Sequence, residues 1–290
     1  MRAVENLKPG LYVTATPIGN LNDISDRARI VLKEADLIAC EDTRVTGRLM
    51  SALGLKGSMI PYHEHNGEKQ RPKILARIKA GQKVALVSDA GTPLISDPGF
   101  KLVEEARSEN LLVVPIPGPS ALTAAISVAG LPSDRFLFMG FAPTKSKTRK
   151  DWFKEVSKDK STLIFYESTR RLPESLKDAS ITLGMARQAA VCRELTKSYE
   201  EVLRGSLKEL ADHYAEKGAP KGECVVVVGP PEKIVQTDAQ TVDMDHALSM
   251  ALHHMTVKDA AAFVATLFGV KKRPLYARAL ELSQKNDDAL

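Results

Sequence analysis

The chain has 290 residues, 43% hydrophobic and 27% charged, with three cysteines and a formal net charge of +5. That length supports two compact domains and an appendage without disulfide or metal staples, and the composition excludes disordered and disulfide-framework classes. Residues 120–131, the longest nearly apolar stretch, are too short to span a bilayer, and MRAVENLKPG has no signal-like apolar run; no membrane association and a cytoplasmic location are expected.

Strands and helices alternate from the start. Residues 10–16 read as a strand, 26–34 as a helix, 36–40 as a strand and 43–53 as a helix stopped by Gly54. A helix before Gly81 leads into a strand at 83–88, followed by a strand at 111–115 and a helix at 120–129. Short apolar runs between amphipathic helices predict a mainly parallel sheet covered on both faces, in a domain of residues 1–140. The stretch GFAPTKS reads as a linker. Beyond it, 161–166, 189–193 and 223–228 are expected strands. Residues 191–205 have no room for a long helix, so antiparallel pairing and a mixed sheet are expected in a second α/β domain, 141–230. Residues 231–290 form a polar linker and three helices, 243–253, 257–268 and 271–283, with a helix-turn-helix look; a plain helical cap for packing fits equally well.

Cys40, Cys192 and Cys224 lie in or at the end of apolar runs with no C-x-x-C pair, so buried thiols are expected and no metal site. G-x-G-x-x-G and G-x-x-x-x-G-K-[ST] are both absent, which disfavours a dinucleotide site and a P-loop. Four loops instead follow expected strands: TPIGNLNDIS (16–25), CEDTR (40–44), VSDAGTPLISDPG (87–99) and PIPGPSA (115–121). In parallel α/β sheets ligands gather at the carboxyl ends of strands. The third loop combines Gly, Pro and Asp, a rigid polar path suited to a ribose or an amino group. The positive excess lies before residue 232, densest in KSKTRK (145–150), a run that suits phosphate contacts or simply a solvated helix start.

TPIGNLNDIS, EDTR, VSDAGTPLISDPG, PGPSA, AGLPSDRFLFMGF, TLIFYES and RELTKSYEE, in this order, resemble the tetrapyrrole-methylase superfamily. Within it they resemble the ribosomal RNA small-subunit methyltransferase I branch. The resemblance implies two α/β domains with S-adenosylmethionine folded between them, a small C-terminal helical appendage, and a homodimer. It implies methyl transfer to the ribose 2′-hydroxyl of a decoding-region cytidine in 16S rRNA of the small ribosomal subunit. Cofactor contacts carried over are Asp89, Ala90, Leu94, Ser120, Ala121, Phe165 and Tyr166, with the segment near Gly222 and Glu223 as a weaker fourth region. The loop reads SDAGTP where many small-molecule relatives have GGDP, so the roles of Gly91 and Thr92 stay open.

A ribose hydroxyl needs a base, and Glu41, Asp42, Glu167 and Asp97 are candidates; Glu167 is favoured because it ends the strand beside Phe165 and Tyr166. Arg44, Arg170 or Arg193 can instead stabilise developing alkoxide charge. Arg44, Lys145, Lys147, Arg149, Lys150 and Arg170 are the expected RNA-binding cations. Two other functions fit the residues less well: methylation of a small molecule such as a tetrapyrrole, and a non-catalytic ribosome-assembly factor that binds RNA.

Overall fold

The computed structural model describes the backbone of residues 6–231 and 238–287, with the side chains of 6–231 and 244–283. Residues up to Pro231 cluster as one compact unit and those from Glu232 as another. The first sheet comprises β1 (Gly10–Thr14), β2 (Leu37–Cys40), β3 (Met59–Pro61), β4 (Lys83–Val87) and β5 (Val113–Ile116), in the order β3-β2-β4-β1-β5. All its pairings are parallel, as the alternating pattern predicts. The strands β2 and β4 carry almost no polar side chain because both faces are covered. Leu11, Leu37, Ala39, Val84 and Leu86 face one core, against α3 (Gly67–Lys79) and α4 (Phe100–Ser108). Tyr12, Ile38, Cys40, Ala85 and Val87 face the other, against α1 (Asp26–Glu34) and α2 (Thr43–Ala52). Local capping fixes these helices: the Ser25 hydroxyl accepts the Ala28 N–H at 3.2 Å, and the Asp42 carboxylate accepts the Arg44 N–H at 2.8 Å.

A second sheet follows α5 (Ala121–Val128). It holds β6 (Phe136–Phe141), β7 (Thr162–Ser168), β8 (Gln188–Arg193), β9 (Glu201–Ser206) and β10 (Glu223–Val228), in the order β6-β7-β10-β8-β9. Only β6 and β7 run parallel; the β8–β9 pair is antiparallel, as the short 191–205 connection requires. The helices α6 (Ser146–Glu155), α7 (Leu172–Leu183) and α8 (Leu207–Lys217) cover one face of this sheet, and α5 covers the other. The sequence boundary at 140 falls inside β6. FLFMGF lacks the polar alternation that marks a strand, and at the sheet's edge it leaves Phe136 and Phe141 exposed.

The second unit has α9 (Asp238–Leu252), α10 (Val257–Phe268) and α11 (Lys272–Asp287). Leu248, Ala260, Val264, Leu275 and Ala279 form its core, and the Arg278 guanidinium grips Asp245 at 2.6 and 3.0 Å. Thr256 caps α10, and Gly269 ends it at φ 66°, the left-handed conformation a tight turn needs. The polar stretch expected before these helices lies, up to residue 237, outside the described residues. Among the described residues no helix is long and apolar enough to cross a membrane.

Candidate active site

The carboxyl ends of β1, β2, β4 and β5 bring the four sequence loops together, and the third fastens the rest. Thr16 and Gly91 exchange backbone hydrogen bonds at 2.8 and 3.0 Å. The Asp42 N–H donates to the Asp89 carboxylate at 3.0 Å, and the Thr92 hydroxyl donates to the Pro119 carbonyl at 3.0 Å. Within this loop Leu94 and Ser96 sit at φ 74° and 64°, a left-handed backbone costing about 1–3 kcal/mol per non-glycine residue. Such strain persists where surrounding contacts over-determine it, and it clusters at ligand sites.

Between this loop cluster and the end of β7 lies an open cleft of about 560 Å³. Glu41, Asp89 and Asp97 bring carboxylates to it from the first sheet, and Ile18, Ala121, Phe141, Tyr166 and Leu195 bring apolar surface. Burial pushes the Glu41 carboxyl above its ordinary range, and Asp89 and Asp97 push it further. Asp97 is raised by burial and by Asp89, against a hydrogen bond from Ser88 that lowers it. Asp89 is also raised, again chiefly by burial. The cleft thus holds negative charge at a cost, which a cationic ligand would relieve.

On the opposite wall, Glu167 is fully buried and pairs with Arg171 at 2.7 Å. Among the described residues its other carboxylate oxygen, and the Arg171 Nε, are buried without a partner. Lys197 bridges Glu194 at 2.8 Å and Glu223 at 2.9 Å, and its stem lies against Gly19, where a Cβ would collide with it. The 193–201 hairpin loop therefore closes onto the first loop only because residue 19 has no side chain. Burial pushes the Cys192 and Cys224 thiols up to about 12, so these cleft-lining sulfurs stay protonated, as the buried-thiol reading expects.

Of the sequence candidates, Asp89, Ala90, Ala121, Tyr166 and Glu167 line the cleft, as do the base candidates Glu41 and Asp97 and the fourth region at Gly222 and Glu223. Phe165 does not: side chains alternate along a strand, so Tyr166 faces the cleft while Phe165 is buried on the opposite face, packed on Trp152 and Phe153. Leu94 turns its side chain into the first sheet's core, and Ser120 stands at the N-cap position of α5 without a side-chain capping bond and outside the cleft lining. Among the expected RNA contacts, Lys145, Lys147 and Arg170 are exposed. Arg44 is 85% exposed and pairs with Asp42 at 2.6 Å, holding that carboxyl down at about 2. Lys150 is half-buried, 3.4 Å from Asp178. Arg149 is a correction: it is fully buried, with two nitrogens 2.6 and 2.9 Å from Asp178, and offers nothing to an external phosphate.

Sequence reasoning missed Ile18, Phe141, Leu195 and Lys197 as cleft residues. Leu195 and Lys197 belong to RELTKSYEE, but only the folded hairpin shows that this loop reaches the first sheet.

Residues 10–211 match the model of the Tetrapyrrole (Corrin/Porphyrin) Methylases, and residues 238–283 match that of the RsmI C-terminal HTH domain. The chain is 49% identical to the Ribosomal RNA small subunit methyltransferase I of Mesorhizobium japonicum, over 97% of its length and 95% of that protein. It is 44% identical to the Escherichia coli O157:H7 protein of the same name, over 97% and 98%. The uroporphyrin-III-C-methyltransferase structure from Thermus thermophilus superposes with a TM-score of 0.55 at 19% identity, covering 76% of this chain and 94% of that one. The cobalt precorrin-4 methyltransferase structure has the same TM-score and coverage at 18% identity. The ordered loops, the two sheets and the near full-length identity agree: the chain belongs to the tetrapyrrole methylase family, in its ribosomal RNA small subunit methyltransferase I group.

Proposed function

We propose that this chain transfers methyl from S-adenosylmethionine to a ribose 2′-hydroxyl of small-subunit ribosomal RNA, with a decoding-region cytidine of 16S rRNA as the acceptor. The observation that carries the reading is the cleft, with its strained loop, its Glu41, Asp89 and Asp97 carboxylates and its apolar floor. Bound there, the cofactor would supply an electrophilic methyl group on a sulfonium. Its net positive charge fits a cleft whose carboxyls are held above their ordinary range mainly by burial. Asp89 and the backbone of Ala90 and Gly91 would hold its polar groups, and Ile18, Ala121 and Leu195 its apolar surface. Near full-length identity to two proteins named for small-subunit ribosomal RNA supports RNA as the acceptor. The test is transfer of labelled methyl from adenosylmethionine to small ribosomal subunits purified from cells lacking the enzyme. The reading implies the cytoplasm, where ribosomes are assembled. A homodimer is proposed as well, supported by exposed Phe136 and Leu137 on edge strand β6, with sedimentation equilibrium as its test.

Asp89→Ala should weaken adenosylmethionine binding by about 1–3 kcal/mol without unfolding the chain. The pH dependence follows from the same groups. A carboxyl raised in the folded state contributes stability that is complete below its unfolded pKa and lost as pH rises through the folded value. A cationic ligand reverses that preference, so binding should release protons between the ordinary carboxyl range and the raised range of the ligand-free cleft, and affinity should rise with pH across that window. Calorimetry in buffers of different ionisation enthalpy measures the release, which Asp89→Ala should reduce. Proton uptake on binding would contradict the assignment.

Lys145→Gln with Lys147→Gln should flatten the salt dependence of binding to small subunits, because each phosphate that a lysine neutralises contributes up to about one unit of slope. Adenosylmethionine affinity should not change, since neither lysine lines the cleft. An unaltered slope would reduce the run to a solvated helix start.

A further inference from the structure

A second cavity of about 410 Å³ lies beside the cleft, between the starts of α3 and α4, and Asp97 is the one described residue on both linings. Its character differs from that of the cleft. Phe100 stands at its wall with 65% of its surface exposed, an aromatic face left to solvent at the first position of a helix. Lys101 beside it is exposed and forms no ion pair among the described residues. The Arg71 guanidinium is anchored by Glu105 and by the Tyr62 hydroxyl, while His63 keeps a buried ring Nδ1 without a partner among the described residues. The cap residues of both helices, Asn66 and Gly99, make no side-chain capping bond, and the lining sets the carboxylates of Glu64, Glu68 and Asp97 against the cations of Arg71 and Lys101.

Methyl transfer to a hydroxyl requires the acceptor oxygen and the donor methyl to be held in line, and a proton acceptor beside the hydroxyl assists it. We propose that this second cavity receives the acceptor nucleotide, its base stacked on Phe100, its phosphate at Lys101 and its ribose hydroxyl at Asp97. This inference rests on the function proposed above. The ribose oxygen forms a bond to the methyl carbon while the carbon–sulfur electron pair stays on sulfur, which ends as a neutral thioether. The hydroxyl proton goes to the Asp97 carboxylate. Burial and the neighbouring Asp89 favour proton uptake at Asp97, and the Ser88 hydroxyl opposes it. Glu167 fits this role less well, since Arg171 pairs with one of its carboxylate oxygens and it is absent from the second lining.

The experiment compares the full-length parent with Phe100→Ala, Lys101→Gln and Asp97→Asn on small subunits lacking the methyl mark. Four quantities are read: binding of ligand-free enzyme to subunits, affinity for adenosylmethionine, and the kcat and KM of methyl transfer. Phe100→Ala should weaken subunit binding and raise KM about tenfold, the scale of one base stack, with cofactor affinity unchanged. Lys101→Gln should flatten the salt slope of subunit binding by up to about one unit. Asp97→Asn should lower kcat by about a hundredfold or more while ligand-free enzyme still binds subunits normally. Parental subunit affinity and KM in both Phe100→Ala and Lys101→Gln would overturn the cavity assignment, and parental kcat in Asp97→Asn would overturn the base. If the parent itself binds cofactor and labels no subunit, the proposed function falls and this inference with it. An active parent with indifferent variants removes this inference alone.

Discussion

Replacing Arg149 by methionine should destabilise the chain by about 3–5 kcal/mol, although the residue stands in the middle of a basic surface run. Its guanidinium is fully buried, reaching Asp178 at 2.6 and 2.9 Å and the carbonyls of Pro143 and Thr144 at 3.2 and 3.3 Å. Asp178 is 5% exposed, and its other partners are the Ser146 hydroxyl at 3.0 Å and Lys150 at 3.4 Å. Methionine fills much of the volume but leaves this carboxylate underpaired in the interior, and that uncompensated charge is where the cost arises. The double variant Arg149→Met with Asp178→Leu should regain much of the stability, because removing both charges removes the desolvation penalty with them. Lys145→Gln and Lys147→Gln, on exposed positions of the same run, should stay within about 0.5 kcal/mol of the parent. Urea unfolding monitored by circular dichroism measures all four proteins. A near-neutral Arg149→Met would mean that the buried pair holds α6 to α7 far less than its geometry indicates.

Gly99→Ala should both destabilise the chain and empty the cleft of its ligand. Gly99 adopts φ 138°, and an added Cβ would lie 2.9 Å from Leu86 Cδ2 and from Leu94 Cδ1. Alanine therefore meets an unfavourable backbone conformation and an overpacked core together, for about 2–4 kcal/mol in all. Relief requires the third loop to move, and that loop carries Asp89, Ala90 and Asp97. Adenosylmethionine affinity should consequently fall at least about tenfold, since a deficit of about 1.4 kcal/mol already does so. Gly54→Ala is the comparison, a left-handed glycine at φ 68° with open space around its Cβ position and no place in the cleft lining. It should lose stability through the backbone strain alone and keep parental cofactor affinity. Equal affinities in the two variants would show that the loop's conformation is not what holds the ligand.

The alternation of strands and helices was legible because each signal is local. Gly54 after 43–53 marks a helix end in the sequence as it does in the fold. The failures share one cause, which is that direction is lost when a chain is read as a line. In KSKTRKDWFKE, residues 149 and 153 fall one helical turn apart and are buried together, whereas 145 and 147 face solvent. In TLIFYES the strand period sends Phe165 and Tyr166 to opposite faces, so Phe165 packs into the core away from the cleft that Tyr166 lines. The strand Met59–Pro61 is too short to show any period, and the edge strand β6 has no polar alternation to reveal it. At the site, the loops of the first sheet were visible as clusters of Gly, Pro and Asp. The contribution of Lys197 depends on a hairpin returning across the cleft, a long-range approach with no local signature.

Methyl transfer to a ribose oxygen of small-subunit RNA is the central claim, and alkaline hydrolysis of the labelled product tests it most directly. Small subunits from cells lacking the enzyme are incubated with the parent chain and methyl-labelled adenosylmethionine, and the extracted RNA is treated with alkali. Strand cleavage by alkali uses the 2′-hydroxyl as nucleophile, so a 2′-O-methyl blocks it at that nucleotide. The label should survive in one alkali-resistant dinucleotide whose 5′ member is a methylated cytidine from 16S rRNA. Label released in mononucleotides would place the methyl on a base, and no label in RNA from an enzyme that binds the cofactor would contradict the claim outright.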